Sequence, residues 1–223
     1  PGQAVKFVAR FATTITVTTN DSKAYFPSKN VIVTGYPTRS DLQQADRAAA
    51  RQRFGLASDR ATLLITGGSK GARSLNRAIT ANLAALLAKF QIIHISGATD
   101  AAEVRGVYAA LPDELKRHYH VFEYVHDMGL ALAAADLVIS RAGASVLGEY
   151  PLFGLPSILV PYPYAWRYQK VNAQALVTRG AAVMLEDATL KTQLLPTIEQ
   201  VLGDSARLAA MQAAAHSLAQ PDP

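Results

Sequence analysis

The sequence of 223 residues contains no cysteine, which excludes disulfide cross-links, a thiolate nucleophile and cysteine-ligated zinc. It has no run of about 18 uninterrupted apolar residues, the length a helix needs to cross a bilayer. The opening residues, PGQAVKFVARF, lack the apolar stretch and cleavage site of a secretory leader. Charge is sparse: 17% of the residues are Asp, Glu, Lys or Arg, and no block of about five like charges occurs. The 22 basic residues outnumber 17 acidic ones, giving a formal charge of +5, but they are scattered and not interleaved with a run of aromatics. That distribution argues against nucleic acid and otherwise decides little, leaving an anionic small substrate or an anionic membrane surface open as partner. Several motifs are missing too. Without G-x-x-x-x-G-K-[ST] or G-x-G-x-x-G, a P-loop NTPase and an ordinary dinucleotide-binding domain are disfavoured. Without D-x-D, H-x-x-x-H or a carboxylate cluster, the sequence points to no metal site and no cofactor.

What is present is 50% hydrophobic residues, enough for a sizeable core, and two glycine-containing turns. Gly67-Gly68-Ser69-Lys70-Gly71-Ala72-Arg73 follows the apolar run ATLLIT, and Ser140-Arg141-Ala142-Gly143-Ala144-Ser145 follows ADLVI. A single such turn merely reverses the chain. Two of them, each between a strand and a helix start, suggest two cradles for one diphosphate. The first N–H groups of a helix have no intrahelical partner, the helix dipole favours negative charge there, and glycine permits close approach.

The pattern predicts strands at 14–19 and 30–34, a turn with Gly35 and Pro37, and a helix capped by Ser40 with Asp41 in its first turn. Strands at 61–66, 91–96, 119–124, 135–139, 156–160 and 181–185 then alternate with helices at 74–89, 100–110, 127–134, 144–153 and 168–178. Helices at 190–202 and 204–219 close the sequence. Such alternation predicts an α/β fold with a Rossmann-like doubly wound parallel sheet, whose ligands bind at the carboxyl ends of the strands, where both glycine turns fall. Glu149, in the helix after the second turn, is placed to accept hydrogen bonds from a ribose diol. Val160-Pro161-Tyr162-Pro163 and the polar helix start with Gln169 and Asn172 offer groups for sugar hydroxyls. The five histidines are isolated in sequence and read as structural or exposed, with His126 alone beside the expected site.

These residues resemble the donor-binding half of the MurG family of UDP-N-acetylglucosamine-dependent transferases of peptidoglycan synthesis. The likeness covers about residues 31–215 and rests on G-x-P-x-R (Gly35, Pro37, Arg39), GGSxGAR (67–73), V-x-D-M (125–128), SRAGAS…E (140–149), GLPSILVPYP (154–163) and QxxNA (169–173). It implies the C-terminal domain of a GT-B glycosyltransferase, with residues 1–30 a remnant of the acceptor domain and linker and 31–223 the donor domain, shortened at its end. It further implies that Gly68, Ser69, Lys70, Gly143 and the Ala144 and Ser145 backbone surround the diphosphate. Arg39 faces the phosphates or uracil, Val125 meets uracil through its main chain, Glu149 takes the ribose, and Gln169 and Asn172 address the sugar. The implied reaction is an inverting, metal-independent transfer of N-acetylglucosamine from UDP-N-acetylglucosamine to a lipid-linked muramoyl-pentapeptide. The implied location is the cytoplasm, peripheral at the inner face of the cell membrane. The general base is expected in the acceptor domain, so this chain by itself is expected to bind donor without transferring it.

The sequence departs from the family at Arg167-Tyr168 where Asp-His is usual, at Lys70 for Gln, at Gly35-Tyr36-Pro37-Thr38-Arg39 for GNPVR, and at Val146 for Thr. The first departure bears on sugar and acceptor more than on UDP. Three other readings stay open: a UDP-sugar epimerase or hydrolase, a glycolipid synthase acting on diacylglycerol, and a scaffold domain with a dead pocket.

Overall fold

The computed structural model describes residues 2–68, 71–165 and 168–220. The elements run α1 (Gln3–Val8), β1 (Thr14–Val17), β2 (Asn30–Val33), α2 (Arg47–Arg53), β3 (Thr62–Thr66), α3 (Arg73–Ala81), α4 (Leu83–Lys89), β4 (Gln91–Ile95) and α5 (Ala101–Ala109). They continue through α6 (Asp113–Lys116), β5 (Tyr119–Phe122), α7 (Met128–Ala134), β6 (Leu137–Ser140), α8 (Val146–Leu152), β7 (Ser157–Leu159), α9 (Tyr168–Val177), β8 (Ala182–Met184), α10 (Leu190–Leu202) and α11 (Ser205–His216). β1 and β2 form a separate parallel pair, so pairing crosses the expected boundary at residue 30.

The main sheet has six parallel strands in the order β5-β4-β3-β6-β7-β8. The chain therefore winds outward from β3 through β4 to β5, returns to β6 at β3's other side, and winds outward again. The β3/β6 junction is where the winding reverses, and a crevice opens there at the carboxyl ends of the strands. β3, β4 and β6 are buried along their whole length, as expected of strands covered on both faces, and they are mostly apolar for that reason, with Gln91 and His94 of β4 buried among them. One face packs Leu75, Ile79, Leu86 and Leu87 of α3 and α4 with Leu194 and Ile198 of α10. The other packs Ala131 and Leu132 of α7, Tyr150 of α8 and Leu176 of α9. Each fully buried Leu or Ile contributes about 1.5–3 kcal/mol.

Two expected helices differ. The helix expected from Ser40 is a 3-10 turn, Ser40–Gln44, without a side-chain cap. The α-helix begins only at Arg47 because Asp46 supplies a better cap, its Oδ1 accepting from the Ala49 N–H at 2.8 Å. The expected helix 74–89 breaks at Asn82, whose Nδ2 donates to the Ala78 carbonyl at 2.8 Å and so competes with the backbone ladder. The short helices α1 and α6 carry no buried residue and gave no apolar periodicity to read.

Candidate functional site

The two glycine turns leave adjacent strands and come together over the β3/β6 junction. Between them lies a cleft of about 460 Å³ whose walls include Gly67, Gly68, Val125, Gly143, Ser145, Glu149 and Gln169. Of the sequence-predicted residues, Gly68, Val125, Gly143, Ser145, Glu149 and Gln169 are thus brought together. Arg39, Ala144 and Asn172 lie outside this lining, and Ser69 and Lys70 lie outside the described residues.

The first turn is built on its neighbour's backbone. Gly71 has φ +77°, and a Cβ there would stand 2.4 Å from the Ser96 carbonyl oxygen at the end of β4, so no other residue fits without moving the main chain. That carbonyl is fixed from the other side by Asn76 Nδ2 at 2.9 Å. Asn76 belongs to a buried chain of hydrogen bonds. The Tyr119 hydroxyl donates to His94 Nδ1 (2.7 Å), His94 Nε2 donates to Asn76 Oδ1 (3.0 Å), and Asn76 Nδ2 donates to Asp100 Oδ2 (3.0 Å). This tautomer of a neutral His94 satisfies every partner. Burial pushes its pKa down to about 4, which keeps it neutral at physiological pH.

In the second turn, the Gly143, Ala144 and Ser145 N–H groups find no acceptor among the described residues, while their carbonyls accept from Val146, Leu147 and Glu149 as α8 begins. Three free donors at a helix start form an anion cradle. Arg141, which sequence reasoning passed over as part of a turn, holds this loop in place. Its guanidinium pairs with Asp187 and donates to Ser74 Oγ of α3 at 2.7 Å and to the Val160 carbonyl at 3.2 Å. It ties the second turn to the helix that follows the first. An Arg in a glycine turn after a strand was the available signal, but its partners are 67 and 46 residues away in sequence. Asn172 acts on the same loop, its Nδ2 donating to the Ala142 carbonyl at 3.0 Å. Gln169 Oε1 accepts from the Tyr162 N–H at 2.8 Å.

Glu149 stands in the first turn of α8, closer to the helix start than its sequence position suggested, because the helix begins at Val146. Burial raises its carboxyl pKa above the ordinary value, and the Ser145 side chain and the Arg39 charge partly offset this. Arg39 reaches the vicinity because Gly148 lets residues 36–38 pass directly over α8: a Cβ on Gly148 would lie 2.9 Å from Thr38 Cγ2. Arg39 itself is exposed and paired with Asp41, which holds the guanidinium pKa above its ordinary value.

Neutral donors converging on one side and a half-buried carboxylate on the other suit a ligand carrying a diphosphate and a diol. Among the described residues no group of three or more His, Asp or Glu side chains has metal-ligating geometry, and no helix is long and apolar enough to cross a membrane.

The family model of the glycosyltransferase family 28 C-terminal domain matches residues 62–222. Among curated proteins, the UDP-N-acetylglucosamine–N-acetylmuramyl-(pentapeptide) pyrophosphoryl-undecaprenol N-acetylglucosamine transferase of Roseiflexus sp. (strain RS-1) is 42% identical over 261 residues, covering 100% of this chain and 59% of that protein. The protein of the same name from Desulforamulus reducens is 38% identical over 236 residues, covering 100% of this chain and 62% of its own length. Among solved structures, Acinetobacter baumannii MurG superposes with a TM-score of 0.76 at 28% identity, covering 99% of this chain and 60% of that one. The UDP-GlcNAc 2-epimerase of Neisseria meningitidis bound to UDP-GlcNAc has a TM-score of 0.69 at 14% identity over 97% of this chain and 60% of that one, a likeness of fold alone. The chain thus spans about three-fifths of the length of these relatives. With its parallel sheet, its paired glycine turns and the match over residues 62–222, the chain belongs to glycosyltransferase family 28 and carries that family's C-terminal domain, one half of a GT-B fold.

Proposed function

We propose that this chain is the donor-binding part of an inverting, metal-independent glycosyltransferase that moves N-acetylglucosamine from UDP-N-acetylglucosamine to a lipid-linked muramoyl-pentapeptide in peptidoglycan synthesis. The observation that carries the reading is the convergence of two glycine turns, the second with free N–H donors, and Glu149 on one cleft at the sheet's switch point. The names of the 42% and 38% identical relatives support the choice of donor and acceptor.

In this reading the diphosphate lies between the two turns, against Gly68 and the free N–H groups of residues 143–145, with Ser69 and Lys70 contributing from the first turn. The ribose diol donates to Glu149, uracil lies along the Val125 main chain, and Arg39 closes the uridine side. Gln169 meets the sugar, while Asn172 acts by holding the Ala142 carbonyl. When an acceptor hydroxyl attacks the anomeric carbon, the bond to the β-phosphate oxygen breaks and negative charge grows on UDP. Fixed N–H donors aimed at that oxygen stabilise it without reorganisation. The general base and the remainder of the acceptor-binding surface belong to the part of the relatives beyond this stretch, with residues 31–223 forming the donor domain and 1–30 leading into it. The enzyme works in the cytoplasm, peripheral at the inner face of the membrane.

The test is a calorimetric titration with UDP and UDP-N-acetylglucosamine in the absence of metal, repeated on Glu149→Ala. Metal-free binding that weakens about tenfold in the variant, the cost of a lost charge-assisted hydrogen-bond pair, is the expected result. No binding by the parent, or equal binding by the variant, contradicts the reading. Transfer by this chain alone contradicts the assignment of the base.

A further inference from the structure

Beside the diphosphate cleft is a second one of about 910 Å³ at the start of α3, and the two share Gly67, Arg141 and Gln169 in their walls. Its composition differs from that of the first. Two tyrosines, Tyr162 and Tyr164, stand on its rim with ring centroids 5.5 Å apart at an interplanar angle of 67°. Tyr164 is 80% exposed and Tyr162 48%. Arg141 lies 5.4 Å from the Tyr162 ring centroid and braces that ring from within. The Gln169 bond to the Tyr162 N–H ties the Tyr162 main chain to α9. A braced pair of aromatic faces open to solvent beside a cleft that also carries arginine side chains is a platform for the C–H face of a pyranose, with apolar area for contact and hydroxyls for hydrogen bonds.

The opposite wall carries Arg73 and Arg77 of α3. Arg73 uses Nε on Asp100 at 2.9 Å, and Asp100 is buried and held by Asn76, so the guanidinium is aimed rather than loose. Its two terminal nitrogens find no acceptor among the described residues, and the side chain is more than half exposed. Among the described residues the Arg77 side chain is bound only to the exposed Glu103, a surface pair weak enough to exchange for a ligand anion. Guanidinium groups presenting free N–H forks select phosphate or carboxylate oxygens.

We propose that this second cleft binds the sugar-phosphate portion of the acceptor, its pyranose ring on Tyr162 and Tyr164 and its phosphate at Arg73 with Arg77 in support. The inference rests on the donor reading above for the identity of the neighbouring ligand. The shared wall then sets two sugars side by side, as a transfer between them requires. This domain therefore contributes to acceptor recognition, beyond holding the donor.

The test titrates the chain, first saturated with UDP, with N-acetylmuramic acid 1-phosphate, and repeats this on Tyr164→Ala and Arg73→Gln. The expected result is binding that persists at saturating UDP and weakens at least about fivefold in each variant, with UDP affinity unchanged as the control for folding. Absence of binding, displacement by UDP, or equal affinity in both variants overturns the proposal. If UDP itself does not bind while the sugar phosphate does so in a Tyr164-dependent way, the donor reading fails and the second cleft stands.

Discussion

The two ends of the six-stranded sheet are built from similar residues and do opposite things. At the amino end, around the starts of β3, β4 and β6, most polar groups are paired off, Arg60 Nε being an exception. Gln91 accepts from the Ala57 N–H and donates to the Ala57 and Arg60 carbonyls and to Thr62 Oγ1. Asp136 accepts from the Thr62 N–H at 2.8 Å and from Arg47 at 2.6 Å, and Arg51 donates to Thr62 Oγ1 and the Arg60 carbonyl. At the carboxyl end the N–H groups of residues 143–145 are left open, and a carboxylate with a raised pKa is held half-buried nearby. Paired polar groups lock a structure, whereas unpaired ones arranged around a cleft await a ligand. The difference shows where stability and where binding energy reside in one layer of the molecule.

Three measurements sharpen or break this contrast. The largest effect is expected of Gly71→Val, which forces a β-branched residue to φ +77° and a Cβ into the Ser96 carbonyl. Chemical denaturation should show a loss of more than about 3 kcal/mol, and UDP binding should vanish. A variant as stable and as competent as the parent would mean that the first turn is not held by β4.

Next comes pH. His94 has a folded pKa of about 4 against an ordinary 6.5, so the unfolded chain binds the extra proton between those values. Stability should therefore be fully present above about pH 6.5 and fall as the pH drops toward 4, by about 3 kcal/mol in all from this group. In His94→Gln, which keeps a donor and an acceptor, that part of the pH slope should disappear from urea midpoints measured across the range. An unchanged slope would show that His94 is not the group responsible.

The smallest effect is expected at the closed end. Asp136→Ala leaves the Thr62 N–H and Arg47 without their carboxylate and should cost about 2 kcal/mol of stability while leaving UDP affinity as it was. If UDP affinity fell as well, the two ends would not be separable.

Much of the molecule was legible in the sequence. The alternation of apolar runs with helical stretches foretold the six strands of the main sheet within a residue or two, because parallel strands covered on both faces are mostly apolar. The glycines of both turns and Glu149 were legible because their chemistry is local: a sharp turn and a helix start impose residue types at fixed spacing. Local competition among polar side chains was harder to read. Asp46 outcompeted Ser40 as a cap, and Asn82 interrupted a helix of good formers, each through one hydrogen bond.

Periodicity and turn chemistry act over a few residues, and they were enough to specify a doubly wound parallel sheet with its glycine turns at the carboxyl ends and one carboxylate just behind the second. It took the assembled fold to make Arg141 bind Asp187 and Ser74, to set Asn76 under the turn that precedes its own helix, and to bring Tyr162, Tyr164, Arg73 and Arg77 around one cleft. Those contacts join residues far apart in the chain, and nothing in the local pattern of either partner specifies the other until the sheet's strand order brings them together.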